Sequence, residues 1–304
     1  MRDIFIEIWE NMRRNKLRTC LTGFAVAWGI FMLIVLLGSG NGLLNSFRAG
    51  ASTINTNTMQ IGGGFTSKPY GGLKAGRSIM LDDRDMAITG GDLFSDHVDE
   101  VSATVSSSAT VVYGANSFSG SIVGDYPEHQ DMEKIVILDG RFINRKDIRD
   151  RRKVVVIPQD RAEDLLDGRP AAELVGKRVT IKGLSFLVVG ISKADMMSGS
   201  NIFYAPFSTV RTIFSKGNTL DDITFTFHGL DTEEDNAEFE RSYKAAVNLS
   251  HGAAPDDESA IWIWNRFTSN LQMEKGGRII SIAMWIIGLF TLLSGIVGVS
   301  NIML

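Results

Sequence analysis

The stretch TCLTGFAVAWGIFMLIVLLGSGNGLLNSF, residues 19–47, contains no Asp, Glu, Lys or Arg. Its core, residues 21–37, is almost wholly apolar, and a helix of roughly 20 such residues crosses the ~30 Å hydrocarbon layer of a bilayer. A second uncharged run occupies residues 279–304. The sequence therefore predicts two transmembrane α-helices that flank one long segment, residues 48–278.

The charges beside the first run predict its orientation. Four of the five basic residues that precede it lie close to its start, whereas no Lys or Arg follows it until Arg48; the four are Arg13, Arg14, Lys16 and Arg18. Because positive charge near a span stays on the cytoplasmic side, we expect a cytoplasmic N-terminus and an exported segment 48–278. The second run then returns to the cytoplasm.

A cleaved signal peptide is the competing interpretation of the first run. Its basic start and the small residues Gly38, Ser39 and Gly40 fit that pattern. The apolar core is longer than the roughly 7–15 residues of a signal peptide, and a second apolar run follows it. We therefore favour a retained span.

The exported segment has the composition of a globular domain. It carries a net charge of −6 without a clustered basic face, which argues against nucleic acid as a partner. The single cysteine, Cys20, lies outside it, so an intramolecular disulfide is excluded. The segment is long enough to be held together by its own hydrophobic core.

Residues 1–18 predict an amphipathic helix in the inner membrane interface. Apolar residues recur at helical spacing on one face, with charged residues around the rest; they are Ile4, Phe5, Ile8, Trp9 and Met12. A simple extension of the first span remains the alternative. In either case the neighbouring basic residues would lie near anionic lipid.

Both predicted spans carry small residues at spacings that allow close packing of membrane helices. In the first span these are Gly23, Ala27 and Gly29, with Thr22 and Ala25 nearby. In the second span Gly288, Thr291, Gly295 and Gly298 share one helix face, and Ser294 pairs with Gly298. We expect these residues to pack against partner helices, and the second span has the stronger pattern.

The segment between the spans predicts a mixture of strands and helices. Expected strands cover residues 56–61, 98–112, 117–123, 135–138, 153–157, 179–181, 186–191, 201–205, 222–227 and 260–264. Expected helices cover residues 81–89, 159–166 and 231–246, and a further helix is expected to run from Arg266 into the second span. Strand and helix alternate in two places, which predicts two α+β units, with the Ser-rich strands around 98–125 as an inserted β-rich part.

Residues able to do chemistry are scattered, so no catalytic, cofactor-binding or metal site is predicted. His97, His129, His228 and His251 lack metal-ligand spacing and are expected to be exposed. Two glycines followed by Arg77 and Ser78 resemble a phosphate-binding loop only in part, and a mobile loop is the better interpretation. The acidic group Asp82, Asp83 and Asp85 predicts a solvated helix start. Trp262 and Trp264 share one strand face and predict packing rather than a ligand cage.

Several short motifs, taken in order, resemble those of MacB-type ABC transporter permeases. They are Asn15 to Thr22 (NKLRTCLT), Leu138 to Phe142 (LDGRF) with Val154 to Ile157, Gly176 to Val179 with Phe186 to Ile191, and Ser294 to Leu304, which ends in NIML. The resemblance covers essentially the whole chain. It implies a large α+β periplasmic domain, consisting of a porter-like subdomain plus an inserted β-rich subdomain, in a protein of the bacterial inner membrane. The implied division is residues 1–18, 19–47, 48–265 and 266–304, the last being a helical stalk that continues into the second span.

The resemblance also implies a function. Family members act as dimers with a cytoplasmic ABC ATPase subunit, which uses the ATP, and many transmit the energy of hydrolysis through the membrane helices to the periplasmic domain. This coupling is called mechanotransmission. Known substrates include macrolides, peptides, siderophores and lipoproteins, and partners can include a periplasmic adaptor and an outer-membrane channel. The chain itself is then not an enzyme.

The sequence departs from the family pattern in two ways. A fused nucleotide-binding domain does not precede the first span, so the resemblance implies a separate ATPase. The chain also ends at Leu304, where family members continue into two further helices, which predicts either a fragment or a truncated permease. A two-helix membrane sensor with an extracytoplasmic ligand-binding domain is the alternative, and an anchored enzyme is a third hypothesis without supporting residues.

Overall fold

The computed structural model describes residues 16–52, 55–193 and 201–303. The helices are α1 (Lys16–Ser52), α2 (Asp83–Thr89), α3 (His129–Met132), α4 (Arg145–Arg149), α5 (Gln159–Leu165), α6 (Phe207–Ile213), α7 (Glu233–Ser250) and α8 (Arg266–Met303), with a 3-10 turn at Ala171–Leu174. The strands are β1 (Thr58–Gly63), β2 (Leu81–Asp82), β3 (Val98–Tyr113), β4 (Asn116–Asp125), β5 (Ile137–Gly140), β6 (Val154–Pro158), β7 (Arg178–Ile181), β8 (Leu184–Ser192), β9 (Ile202–Pro206), β10 (Thr219–Leu220), β11 (Asp222–Phe227) and β12 (Ile261–Asn265).

The chain divides into two compact units, Met1–Ser52 with Asn270–Leu304, and Thr53–Ser269. In the first unit α1 and the larger part of α8 contact each other at Gly29 and Gly288, where the absence of a side chain allows close approach. A Cβ atom placed on Gly29 would lie 3.8 Å from the Cγ2 atom of Thr291. A Cβ on Gly288 would lie 2.6 Å from Leu33 Cδ1. Within the part of the chain that the structure describes, no helix combines the length and the apolar character that crossing a membrane requires.

Some residues of the sequence-based predictions lie outside this description. The amphipathic segment Ile4, Phe5, Ile8, Trp9 and Met12, and the basic residues Arg13 and Arg14, precede the described residues. Lys16, Arg18, Ser294, Gly295 and Gly298 lie in α1 or α8, but their surroundings are not described. The roles predicted for these residues stay predictions.

The second unit contains one ten-stranded sheet and a two-stranded sheet of β2 and β10. The large sheet runs β12-β1-β11-β3-β4-β9-β6-β8-β5, and β7 pairs with both β3 and β8. This double pairing closes β3, β4, β9, β6, β8 and β7 into a small barrel, whereas β12, β1, β11 and the first half of β3 form an open antiparallel sheet. We call these parts the barrel lobe and the open-sheet lobe.

The long strand β3 belongs to both lobes. Val98 to Thr104 pair with β11 of the open sheet, and Val105 to Tyr113 pair with β4 of the barrel. The expectation that the Ser-rich strands form a separate inserted part is therefore wrong. Alternation alone could not reveal this, because it shows which face of a strand is buried but not which strand lies beside it.

The open-sheet lobe buries one face against α2 and α7. Met59, Ile61 and Phe225 on the sheet meet Phe239 and Tyr243 of α7 in one apolar core. Both helices begin at capping residues that satisfy free backbone N–H groups. The Asp82 carboxylate accepts from α2, and the Thr232 hydroxyl accepts from Asp235 N at the start of α7. Local sequence thus fixes the helix starts, and the apolar core holds the helices on the sheet.

Candidate functional site

The other face of the open sheet is polar and partly buried. Register places Gln60, Thr224 and Ser102 side by side across three strands, with Asp222 beside Thr104 one step along. Cross-strand neighbours share one face, and α3 packs against β11. Ser102, Thr104 and Thr224 are buried as a result. A polar layer therefore lies where α3 covers the open sheet.

The root of α8 adjoins this layer and is fixed to α7 by Asn265. Its side-chain Nδ2 donates to Asn236 Oδ1 at 2.8 Å and to Glu240 Oε1 at 2.8 Å. Its Oδ1 accepts from the backbone N–H of Phe267 at 3.0 Å and of Thr268 at 3.3 Å. Asn265 thus caps α8 and ties its first turn to the open-sheet lobe.

Arg266 ties the same turn to α3. Its guanidinium donates to the carbonyl of Met132 at 3.3 Å and forms an ion pair with Glu133. It also lies 5.0 Å from the ring centre of Trp264, a distance typical of a cation–π contact. The Arg266 side chain is only 6% exposed. Since α3 leads from β4 towards β5, this contact connects α8 to chain segments of the barrel lobe.

We call Asn265 and Arg266 the stalk root. Both residues are buried. Asn265 binds α7 of the open-sheet lobe, and Arg266 binds α3, which leads into the barrel lobe. A displacement of the first turn of α8 would therefore pull on α7 through Asn265 and on α3 through Arg266. These contacts are costly to break, because leaving a buried guanidinium or amide without its partner costs several kcal/mol of free energy.

A buried pair of titratable residues lies beside the stalk root. Asp125 ends β4 and His129 begins α3, with Asp125 Oδ2 and His129 Nε2 3.5 Å apart. Burial raises the pKa of Asp125 well above its ordinary value, and the carboxylates of Asp222 and Glu133 raise it further. Burial also lowers the pKa of His129 to about 4. The prediction that the histidines are exposed is wrong for His129, which is buried where α3 packs against β11, and for His251, whose side chain is 9% exposed.

The acidic start of α2 is also less exposed than predicted. Asp85 is fully buried and accepts from His251 Nε2 at 2.8 Å and from the Ser250 hydroxyl at 3.1 Å. It also accepts from the backbone N–H of Asp82 at 2.8 Å, which completes a capping box. Asp85 therefore joins α2 to the end of α7, and the prediction of a wholly solvated group is wrong at this position.

The loop that partly resembled a phosphate-binding loop is held by side-chain contacts. Asp257 accepts from the backbone N–H groups of Ser67 at 2.7 Å and Lys68 at 3.1 Å. The guanidinium of Arg77 donates to the carbonyls of His251 and Gly252. Arg77 therefore fixes the loop to the end of α7 and is not directed at a phosphate. These contacts contradict the interpretation of the loop as mobile.

The two tryptophans lie on the exposed edge strand β12. Both are a little over 40% exposed, and the ring of Trp262 lies directly over Gly62, where any Cβ atom would clash with it. Trp264 lies beside Gln60 in the register and contacts Arg266. They pack on the polar face of the open sheet, as the sequence predicted, with part of each ring left in solvent.

Sequence reasoning missed the stalk root. An Asn that directly follows a strand and precedes a long helix is a recognisable N-cap signal, so Asn265 could have been found. Arg266 could not, because its partners Met132 and Glu133 are more than 130 residues away along the chain. Among the residues that the structure describes, no group of three or more His, Cys, Asp or Glu is placed to hold a metal ion.

Comparison with known proteins defines the class of this chain. The profile of the family described as MacB-like periplasmic core domain matches residues 19–246, well over half of the sequence. The chain therefore belongs to this family, and the resemblance predicted from its motifs is confirmed.

Two curated MacB proteins are similar to this chain over most of its length. The chain is similar to the macrolide export ATP-binding/permease protein MacB 1/2 of Paracoccus denitrificans, with 25% identity over 298 residues that cover 97% of this chain and 42% of that protein. The MacB protein of Mannheimia succiniciproducens is 25% identical over 294 residues, covering 95% of this chain and 43% of that protein. The chain thus spans less than half the length of these curated relatives.

Solved structures share the fold of the second unit. The periplasmic region of MacB from Actinobacillus actinomycetemcomitans matches with a TM-score of 0.56 and 24% identity, covering 73% of this chain and 95% of that chain. The extracellular domain of the noncanonic ABC-type transporter YknZ from Gram-positive bacteria matches with a TM-score of 0.53 and 20% identity, covering 69% of this chain and 100% of that chain. The predicted mixed α/β domain of MacB type is therefore confirmed as a fold.

Proposed function

We propose that this chain is the permease part of a MacB-like ABC transporter that exports its substrate. In this proposal the uncharged runs 19–47 and 279–304 cross the bacterial inner membrane, the N-terminus is cytoplasmic and residues 48–278 lie in the periplasm. ATP is hydrolysed by a separate cytoplasmic subunit, and the permease acts as a dimer or with a paired permease. The family membership of the chain supports the permease role.

The exposed surface of the first unit supports the membrane location. Large apolar side chains lie exposed along α1 and α8, among them Phe24, Ile34, Trp285 and Phe290, each more than 60% exposed. Exposed apolar side chains in such number are unfavourable in water and suit a lipid environment. Neither apolar run contains an ionisable Asp, Glu, Lys or Arg, which agrees with the high cost of a charge in the bilayer.

The stalk root is the observation that carries the coupling mechanism. A movement of α8 driven from the cytoplasm would reach Asn265 and Arg266 first, and their buried contacts would pass it to α7 and α3. The periplasmic domain would then change the arrangement of its two lobes when ATP is hydrolysed. The chain performs no chemistry itself in this mechanism, which is mechanotransmission.

Spin-label distances test this mechanism. With Cys20 replaced by Ser, cysteines at the exposed positions Lys177 in the barrel lobe and Glu238 on α7 carry the labels. The complex is purified by means of this chain and returned to membranes. We expect the distribution of distances between the two labels to change when ATP is added. Replacing Arg266 with Met should abolish the change while leaving ATP hydrolysis in place.

The control is Arg149, an exposed arginine paired with Asp150. Arg149→Gln removes one guanidinium without touching α8, so it should leave the ATP-dependent change intact. A complex without ATPase activity, or a distance change that survives Arg266→Met, would contradict the proposal. Absence of ATPase together with a ligand-dependent distance change would favour the membrane sensor instead.

A further inference from the structure

The layer between α3 and the open sheet contains more buried polar groups than the hydrogen bonds there can satisfy. Asp125 is fully buried at the end of β4, and its Oδ1 accepts from the backbone N–H of Tyr126 at 2.8 Å and from the Ser102 hydroxyl at 3.4 Å. Its Oδ2 has no hydrogen-bond donor among the residues that the structure describes. His129 Nδ1 likewise has no hydrogen-bond partner among these residues. A bare carboxylate in this position would be poorly compensated.

The charged neighbours of Asp125 do not supply the missing compensation. Asp222 on β11 and Glu133 after α3 are both acidic and disfavour a second negative charge. Arg266 is the cation in the first turn of α8, but its guanidinium is bonded to Glu133 and to the carbonyl of Met132. Tyr126, the next residue along the chain, is uncharged at neutral pH.

His129 is the group that faces the free oxygen of Asp125. Its Nε2 lies 3.5 Å from Asp125 Oδ2, close enough for a hydrogen bond after a small movement. The imidazole is almost fully buried, so it is better suited to remain neutral and accept a hydrogen bond from a carboxylic acid than to carry a charge.

We propose that Asp125 and His129 form a proton-binding site at the junction of the two lobes. The carboxyl group of Asp125 holds one proton on Oδ2 at neutral pH and directs it towards Nε2 of neutral His129. The pair then has no net charge, and the polar layer can close over it. Loss of the proton leaves a negative charge beside Asp222, which weakens the contact of α3 with the open sheet and, through Glu133 and Arg266, the stalk root.

The raised pKa of Asp125 agrees with this assignment, and its main cause is burial. Asp222, whose pKa is also raised by burial and whose Oδ1 likewise has no hydrogen-bond partner among the described residues, is less suited to the role because Thr104 donates to its Oδ2 at 2.7 Å and Gln60 donates as well. These donors stabilise the charged form of Asp222. Asp125 therefore keeps the proton. Asp222 is the charged carboxylate, and a second negative charge on Asp125 beside it would be unfavourable.

Infrared difference spectroscopy on the full chain in detergent tests the proposal directly. At neutral pH the wild-type chain should show a carbonyl band of a protonated carboxylic acid, and the band should weaken when the pH is raised far enough to remove the proton. The band should be missing in Asp125→Asn at every pH and unchanged in Asp139→Asn, where the exposed Asp139 on β5 serves as the matched control. A band that persists in Asp125→Asn would overturn the assignment, as would its absence from the wild-type chain, which would mean that a bound cation or water compensates a charged Asp125.

A second measurement serves if Asp125→Asn does not fold. The native state then holds a proton that the unfolded chain releases, so the free energy of unfolding must fall as the pH rises from about 6 to about 8. Thermal unfolding of the wild-type chain across this range measures that slope. A melting temperature that is constant or rises with pH would overturn the proposal without any variant.

Discussion

Asp147 shows how one residue can explain a sequence motif. The Gly140-Arg141-Phe142 motif supplies an arginine whose guanidinium binds the fully buried Asp147 carboxylate, at 2.6 Å from Nη1 to Oδ2. Arg152 adds a second ion pair at 3.1 Å, and the backbone N–H of Asn144 donates at 3.1 Å. The motif therefore holds α4 against the start of β6.

Replacing Asp147 with Ala should destabilise the chain strongly. Two arginines would lose their shared partner, and the capping box of α4 would open. Because the Arg141 and Arg152 side chains are 39% and 43% exposed, water partly replaces the lost carboxylate, and we expect a cost of about 1.5–3 kcal/mol, the range for hydrogen bonds to charged groups. Denaturant unfolding of the full chain in detergent measures the change. Asp150→Ala, which breaks the exposed pair with Arg149, is the control and should cost less than about 1 kcal/mol; equal effects would contradict the argument.

His129 should make the protein sensitive to acid. Its pKa is about 4 in the folded state and 6.5 without the fold, chiefly because burial disfavours the charged imidazole. The unfolded chain therefore binds a proton at this residue first as the pH falls below 6.5, so the contribution of His129 to stability is lost progressively between that pH and about 4. A shift of this size corresponds to roughly 3 kcal/mol.

Unfolding free energies measured across the acidic range test this sign. His129→Gln should lose less stability on acidification than the wild-type chain, because Gln takes up no proton. His228→Gln replaces an exposed histidine and should follow the wild-type curve. If the His129 variant and the wild type lose stability in parallel, the buried neutral imidazole is not the cause.

At the level of single residues, sequence reasoning succeeded where the signal is local. The strands predicted at residues 179–181 and 186–191 are joined at Lys182 and Gly183, and both residues have the positive φ angles, 49° and 73°, that a tight hairpin turn requires. Asp125 and Arg266 gave no such signal, because burial and long-range contacts determine their roles. From sequence alone an Asp side chain is expected to be exposed, and only the fold shows that other residues bury it.

At the level of elements, most of the predicted strands and helices are confirmed within a few residues. The helix expected to run from Arg266 into the second span is continuous as α8, and the first uncharged run is helical within α1, which ends at Ser52. Pairing was the weaker part of the prediction. The closure of the barrel through β7 depends on contacts between Val111 and Ile181, which no periodic pattern encodes.

The helix pair of the first unit offers a test of the small-residue pattern. Gly288 lies against Leu33 and Gly29 against Thr291, whereas a Cβ on Gly23 would meet nothing within 4 Å. In a chain with Cys20 replaced by Ser, we expect cysteines at positions 29 and 291 to form a disulfide readily. Adding Gly288→Leu should reduce its yield several-fold, because overpacking of a close contact costs about 1–3 kcal/mol.

Gly23→Leu is the matched control for this experiment. It adds the same side chain to α1 at a position with open space and should leave the yield of the disulfide unchanged. An equal loss in both variants would mean that added bulk in either helix disturbs the unit in general. The packing role predicted for Gly288 would then be wrong.

At the scale of the whole molecule, charge and apolar runs predicted more than motifs did. Two uncharged runs and the acidic segment between them are enough to predict the order helix, domain, helix. The alternation of strands and helices predicted two α+β units, and the family resemblance implied two subdomains. The position of the lobe boundary came only from the fold, because β3 is shared between the lobes.

The proposed topology makes the last prediction. Asp150 ends α4 in an exposed turn next to Arg151, so an insertion there should leave the sheet intact. If residues 48–278 are exported, alkaline phosphatase inserted at Asp150 should be active, since that enzyme forms its disulfides only outside the reducing cytoplasm. The same reporter fused before Arg13 should be inactive, because the basic residues there keep that end inside. Activity at the N-terminal fusion with none at Asp150 would reverse the orientation and place the stalk root on the same side as the ATPase, where α8 could not transmit movement across the membrane to it.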